Sequence, residues 1–171
     1  MPNRIEEATS AAMGALKDVK ATVKGLSGVF KHLMEEHGKV SALITRVKMS
    51  SDEDVRARLY PTIRSELLGH ETGELKVVYP AMAPYPEISG IADEHARDAG
   101  ELERQIAEVD RHSYGDASWG PAFDRLAEMV QKHVAREESD YFPKAQKAMG
   151  DNLAKQLLPN FESAKKTMPP A

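Results

Sequence analysis

The sequence predicts an all-α protein: an up-down-up-down four-helix bundle with an extra N-terminal segment and a short C-terminal helix. Three observations predict it. Apolar residues recur at steps of three and four almost throughout, and no stretch alternates convincingly with period two. Proline and glycine are gathered at a few places, which leaves long stretches free to be helical. One phrase also occurs twice, 63 residues apart: His70-x-x-x-Glu74 followed by Tyr79-Pro80, and His133-x-x-x-Glu137 followed by Phe142-Pro143. Glu36-His37 precedes the first copy and Glu94-His95 the second. The chain reads as a duplicated helical hairpin, each half bringing two histidines and a carboxylate.

Residues 1–25 are expected to form a helical extension with a weak apolar stripe, Ile5, Ala12, Leu16, Val19 and Val23, packed on the outside of the domain. Gly25 and Gly28 interrupt it, and the domain spans 26–165. Its first helix is placed over 27–47, with the seam Leu26, Phe30, Leu33, His37, Val40, Ile44 and Val47. Ser50-Ser51-Asp52 makes a loop. The second helix is placed over 61–81, because proline suits a first helical turn. Its seam is Ile63, Leu67, His70, Glu74, Val77 and Ala81. Pro84 and Pro86 stop it, since each lacks a donor and restricts its predecessor. The third helix is placed over 87–111, with Ile88, Ile91, His95, Ala99, Leu102, Ile106 and Val109 inward. A turn at Ser113-Tyr114-Gly115-Asp116 leads to the fourth helix over 118–149, with Ser118 as N-cap. Its seam is Trp119, Phe123, Leu126, Val130, His133, Glu137 and Tyr141. Gly150 ends it, and a tail helix over 151–163 brings Leu153, Leu157, Leu158 and Phe161 over the bundle. Residues 166–171, with Pro169-Pro170, are expected to fray.

Composition narrows the function. The 171 residues suffice for one domain with a real core. Cysteine is absent, which excludes disulfides, thiolate zinc sites and a cysteine nucleophile. The net charge is -4, with 23 basic and 27 acidic residues well mixed, so no nucleic-acid patch stands out. No apolar run approaches the roughly 18 residues of a membrane span. The first residues lack the apolar stretch of a secretory signal. The expectation is a cytoplasmic protein without nucleic-acid or membrane partners. An exposed apolar patch on the N-terminal segment would suit a homodimer or a signalling partner.

Six polar residues stand on the seams where Leu or Val would otherwise be: His37, His70, Glu74, His95, His133 and Glu137. Residues four apart on a helix share a face, about 6 Å apart along the axis. Burying six unpaired polar groups would cost more than the roughly 5–15 kcal/mol that stabilises a whole domain. A pair of metal ions satisfies all six at once, as in other helical bundles. Their heights agree. Glu74 lies about eight residues before the loop at 82–87 and His95 about eight after it. His95 lies about sixteen residues before the next turn and His133 about fifteen after it. All six fall in one slab near the middle of the bundle. Imidazole and carboxylate without sulfur suit Fe, Mn, Zn or Co, and affinity order alone favours zinc over iron.

Each residue also has a bland reading. His70 with Glu74 alone would be an ordinary helix-surface pair worth a few tenths of a kcal/mol. Its repetition on an apolar seam reverses that reading. His32 lies off the seam and is expected to face solvent; His112, near the end of the third helix, is expected to meet the helix terminus. Glu71 and Glu138 point about 100° away from the ligand pairs and are expected at the surface or behind the ligands. Glu36 and Glu94 precede ligands and are placed either to accept a histidine N–H or to face solvent. Trp119, Phe123, Phe30 and Phe142 are read as core, and Met34, Met82 and Met149 as gap-fillers.

The pattern His37, His70-x-x-x-Glu74, His95, His133-x-x-x-Glu137 resembles the hemerythrin-like (HHE cation-binding) family over residues 26–165. The combined spacing is far more specific than any single His-x-x-x-Glu. The resemblance implies a non-haem di-iron centre. His37 and His70 would be terminal ligands of one iron, His95 and His133 of the other. Glu74 and Glu137 would bridge them, and an oxo or hydroxo group would complete the pattern. Zinc or manganese is the alternative metal. The oxygen-carrying members have a fifth histidine where this chain has Ala99, and they space the last pair as His-x-x-x-x-Asp. Water, Asp98, Glu101, Tyr141 or Tyr79 could take the vacant ligand place beside His95. An open position favours reaction with peroxide over reversible oxygen carriage. The expected ligand is therefore a small diatomic (oxygen or nitric oxide) or a peroxide. The expected roles are oxygen or redox sensing, storage or peroxide detoxification. The alternatives are a catalase- or peroxidase-type enzyme and a structural or zinc-binding bundle.

Overall fold

The computed structural model describes residues 1–167, so the expectation for 168–171 lies outside the described residues. The elements are α1 (Arg4–Val23), α2 (Gly28–Lys48), α3 (Glu53–Gly73), a π-helical turn (Glu74–Val78), a 3₁₀ turn (Pro80–Met82), α4 (Ser89–Asp110), α5 (Trp119–Arg136), a second π-helical turn (Glu137–Tyr141) and α6 (Phe142–Lys165). No strand occurs among the described residues. The helices α2, α3, α4 and α5 form a closed ring in which each packs on the next and α5 returns to α2. Gly150, at φ 77°, breaks α6, and the part beyond it lies on α2 and α3. This backbone conformation favours glycine, which has no Cβ to clash.

Two apolar clusters fill the bundle. One gathers Phe30, Leu33, Met34, Val78, Tyr79, Met82, Phe142 and Phe161. The other gathers Ile44, Leu59, Ile63, Leu102, Ile106, Trp119, Phe123 and Val130. His37, His70, Glu74, His95 and Glu137 are buried polar residues that belong to neither. Their polar slab therefore sits at the waist, with apolar packing above and below.

Three local expectations are corrected. The helix expected to start at Pro61 begins at Glu53, capped by Asp52, whose side chain accepts from the Asp54 N–H at 2.9 Å; Pro61 lies inside it. Ser118 does precede α5, but its side chain makes no capping bond. The helices expected to run through Glu74 and Glu137 instead widen there into π-helical turns. The cause is the proline that ends each repeated phrase. Inside an α-helix a proline ring clashes with the carbonyl four residues back. A π turn just ahead of Pro80 and Pro143 re-routes the ladder: Tyr79 N–H bonds to the Glu74 carbonyl and Phe142 N–H to the Glu137 carbonyl, five residues back in each case. Such turns recur at functional sites, and here each begins on a seam glutamate.

The N-terminal helix carries a capping box, with the Asn3 side chain bonded to the Glu6 N–H and the Glu6 side chain to the Asn3 N–H. It lies outside the bundle along α2, but it docks through polar and small residues. Its buried residues are Glu6, Ser10, Gly14 and Ala21, while Ile5, Leu16, Val19 and Val23 face solvent. Glu6 is gripped by Arg58 (2.6 Å), and Ser10 Oγ donates to the Lys39 carbonyl (2.9 Å). Gly38 makes the close approach possible, because a Cβ there would stand 2.4 Å from the Met13 carbonyl oxygen.

Candidate metal centre

The inward side chains of α2 to α5, with the glutamates that begin the two π turns, meet as two adjoining clusters. In one, donor atoms of His37, His70 and Glu137 lie within 4.8 Å of one another. In the other the same holds for Glu71, Glu74, His95 and His133. The clusters share their carboxylates. Glu74 Oε2 is 3.5 Å from His70 Nε2 and 3.6 Å from His95 Nε2. Glu137 Oε2 is 3.2 Å from His37 Nε2 and 3.3 Å from His133 Nε2. Each glutamate thus touches one histidine from each cluster.

Glu71 corrects the sequence expectation. It is buried, with one oxygen 3.3 Å from His95 Nε2 and the other 3.3 Å from His133 Nε2. The residues considered for the vacant ligand place beside His95 are otherwise engaged. Asp98 pairs with Arg136 (2.6 Å), Tyr141 donates to Glu94 (2.7 Å), and Tyr79 donates to Glu137 while its ring stacks on His95. Glu101 is exposed. A signal for Glu71 was in the chain: Leu67, Glu71 and Glu74 continue the four-three step. Its counterpart in the second copy, 63 residues on, is Val134, so the two halves differ chemically at this position.

The outer ring nitrogens of the first cluster are held by carboxylates. His37 Nδ1 lies 3.1 Å from Glu138 Oε1, and His70 Nδ1 lies 2.9 Å from Glu36 Oε2. An ionised carboxylate only accepts, so each ring keeps a proton on Nδ1 and turns Nε2 inward. The two Nε2 atoms then face each other at 3.2 Å, an arrangement that only a shared proton or a cation relieves. Glu138, expected at the surface or behind the ligands, lies behind His37. His32 is half-buried rather than solvent-facing and pairs with Glu36 at 3.2 Å. His112 stands beside Glu108 (3.5 Å) rather than against helix-terminal carbonyls.

The electrostatics point the same way. Burial, reinforced by Glu137 and Glu71, pushes the Glu74 carboxyl well above the usual carboxylate range. Burial opposes charge on His133, but Glu137 and Glu71 outweigh it and push the imidazole up to about 9. Burial lowers His95 in spite of the same carboxylates. Burial opposes the charge of Glu137, yet His133 and His37 hold it below its ordinary value. Burial thus works against the charge of Glu74, while His133 and His37 favour that of Glu137. Glu71 Oε2, both oxygens of Glu74, both ring nitrogens of His95, His133 Nε2 and Glu137 Oε2 are buried with no hydrogen-bond partner among the described residues. Buried polar atoms are almost always satisfied. The unpartnered atoms are imidazole nitrogens and carboxylate oxygens, a donor set that fits divalent Fe, Mn, Zn or Co.

The comparisons with known proteins agree with this geometry. The chain matches the Hemerythrin HHE cation binding domain over residues 28–145 and belongs to that family. It is 26% identical over 152 residues to an uncharacterized hemerythrin-like protein of Schizosaccharomyces pombe, covering 80% of this chain and 68% of that protein. It is 23% identical over 164 residues to a DNA nickase of a Nostoc species, covering 95% of this chain but only 46% of that protein. No solved structure matches significantly. No helix among the described residues is long and apolar enough to cross a membrane.

Proposed function

We propose that the chain holds two iron ions in the paired clusters and uses them to bind, or react with, oxygen, peroxide or nitric oxide. The observation that carries this is the convergence of seven buried, unpartnered donor atoms from the α3, α4 and α5 segments, beside inward-turned imidazoles from α2 and α3. His37 and His70 would hold one ion, and His95, His133 and Glu71 the other, with Glu74 and Glu137 shared between them. Bound iron would supply a redox-active pair able to take up a small oxygen or nitrogen species and exchange electrons with it. The chain's own part is to shape that site. Glu36 and Glu138 fix the tautomers of His70 and His37. Tyr79 holds Glu137 by its hydroxyl and covers His95 with its ring. The apolar clusters on either side keep bulk water from the ends.

With Glu71 beside His95 and Ala99 in place of the carriers' fifth histidine, the second cluster gains a carboxylate and lacks that imidazole. A carboxylate stabilises the more oxidised metal, which supports redox turnover over reversible carriage. The nickase similarity brings no nucleic-acid reading into this proposal. Metal analysis with an optical spectrum, before and after oxygen and then peroxide, tests it. Two irons per chain and a charge-transfer band that responds to oxygen or peroxide are expected. Gas evolution would mark catalase-type turnover. Zinc as the resident metal, with no optical response, would remove the redox reading.

A further inference from the structure

A cavity of about 410 Å³ leads from the surface to the metal centre. Its walls are Val40, Leu43, Leu67, Leu102, Val130 and Val134, and His37, His70, Glu71 and His133 form its inner end. Pro2, which precedes α1, Glu7 of α1, Thr62 and Glu66 of α3 and Lys165 of α6 stand around it as well. The size decides what it is for. A water-sized ligand needs about 30 Å³, and an apolar cavity of about 150 Å³ is enough for benzene. Sites for small organic molecules begin near 300 Å³. The space is therefore far larger than a diatomic or hydrogen peroxide requires.

The lining also decides the charge of the occupant. Lys165 Nζ is bound to Glu36 (2.6 Å) and Glu66 (2.7 Å), and Lys39 Nζ to Glu35 (2.6 Å). Both lysines that line the cavity are thus neutralised, and an anion would find no free partner in them. Aliphatic side chains from α2 to α5 make up the body of the wall; polar groups gather at the inner end, and Glu7, Ser10, Thr62 and Glu66 add others elsewhere in the lining. We propose that this cavity binds a neutral organic molecule, a substituted ring or short alkyl chain, whose single hydroxyl-type end points toward His133 and Glu71. The orientation rests on the metal reading; the apolar pocket does not. The molecule would be a co-substrate or effector of the centre, and its body would be recognised by valine and leucine side chains from four helices.

Titration calorimetry with 4-propylphenol, on metal-free and iron-loaded protein, tests the proposal. Saturable one-to-one binding is expected, with Kd below about 1 mM, which a ligand of about ten non-hydrogen atoms reaches at ordinary efficiency. Leu43→Trp and Val130→Phe fill the cavity from different helices, and each should weaken binding tenfold or more at unchanged metal content. Val134→Leu is a milder filling that keeps the test readable if the larger side chains unfold the bundle. Folding of each variant is checked by circular dichroism. Absence of saturable binding in both protein forms, or equal binding by the folded filled variants, overturns the cavity. Binding by a protein that takes up no iron would support the cavity while removing the iron reading, so the two failures stay distinct.

Discussion

The two clusters share two glutamates, yet they are supported differently. The His37/His70 cluster leans on segments outside the four-helix ring. Lys17 of α1 lies 2.5 Å from Glu138, which holds His37. Lys165, near the end of α6, lies 2.6 Å from Glu36, which holds His70. The His95/His133 cluster is enclosed by the bundle itself. His95 is fully buried under the Tyr79 ring at a centroid distance of 3.6 Å, and no described side chain hydrogen-bonds either of its nitrogens. One site is thus positioned by charge relays from the two terminal segments, the other by packing and by Glu71. If each cluster holds an ion, as proposed, the two should differ in how easily they are lost.

The sharpest way to break that comparison is through a residue both clusters share. Glu137→Ala should take metal content from two ions per chain toward none, a loss beyond the roughly 10–100-fold affinity change expected of a supporting residue. Elemental analysis after dialysis reads this directly. Retention of one tightly held ion would mean that Glu137 serves a single cluster.

Gly38→Ala acts one step further out. The added Cβ would meet the Met13 backbone at 2.4 Å, which is not a flexible side-chain tip. The helix α1 must move, at a cost of about 1–3 kcal/mol, the ordinary scale for overpacking. A lower Tm should come with faster hydrogen exchange in α1 and weaker metal binding in the His37/His70 cluster alone. An unchanged melting curve would show that α1 is not seated on Gly38 in solution.

Lys17→Met and Lys165→Met then sharpen the comparison without touching a ligand. Each keeps the aliphatic stem and removes the charge that holds a supporting carboxylate. Each should lower the affinity of one ion by about tenfold, at the lower end of the range for such residues, and leave the second ion in place. Chelator competition that resolves two steps is the measurement. Equal loss of both ions, or of neither, would contradict the assignment of the relays.

The bundle and its histidines were legible because a helix repeats its inward face every three or four residues, and His-x-x-x-Glu fits that repeat twice. Glu71 was not, because on an ideal helix its offset of about 100° from His70 turns it off the ligand face. The inward arc of a core-facing helix is in fact wide enough for neighbours at both the third and the fourth step. Leu67, His70, Glu71 and Glu74 are all buried on it, whereas Ser65 and Glu66 are exposed and Leu68 is half-buried. The π turns were hidden as well, though each was marked by an aromatic-proline pair five residues after a glutamate. The start of α3 was hidden too, because a proline favours a first helical turn yet also occurs inside a helix, as Pro61 does in α3. The orientation of α1 reversed the usual logic altogether, since hydropathy alone ranks Ile5 and Val23 above Glu6 and Ser10. What fixes it is the Arg58 grip on Glu6 and the glycine contact, which are visible only in three dimensions.

The smallest expected effect concerns that grip. The Arg58 guanidinium, joined by the Asn3 N–H and Arg46, holds the Glu6 carboxyl below the usual carboxylate range against the opposing effect of burial. A carboxyl whose folded value is depressed contributes stability at pH above its unfolded value of about 4.3. That contribution disappears as pH falls through the lower folded value. Acidification should therefore loosen α1, read as rising exchange of its amides, with the midpoint set by Glu6. Arg58→Met removes the main cause of the depression and should move that midpoint upward. If the midpoint stays where it was, Glu6 is not what seats α1, and the dependence of the His37/His70 cluster on this helix would have to pass through Lys17 alone.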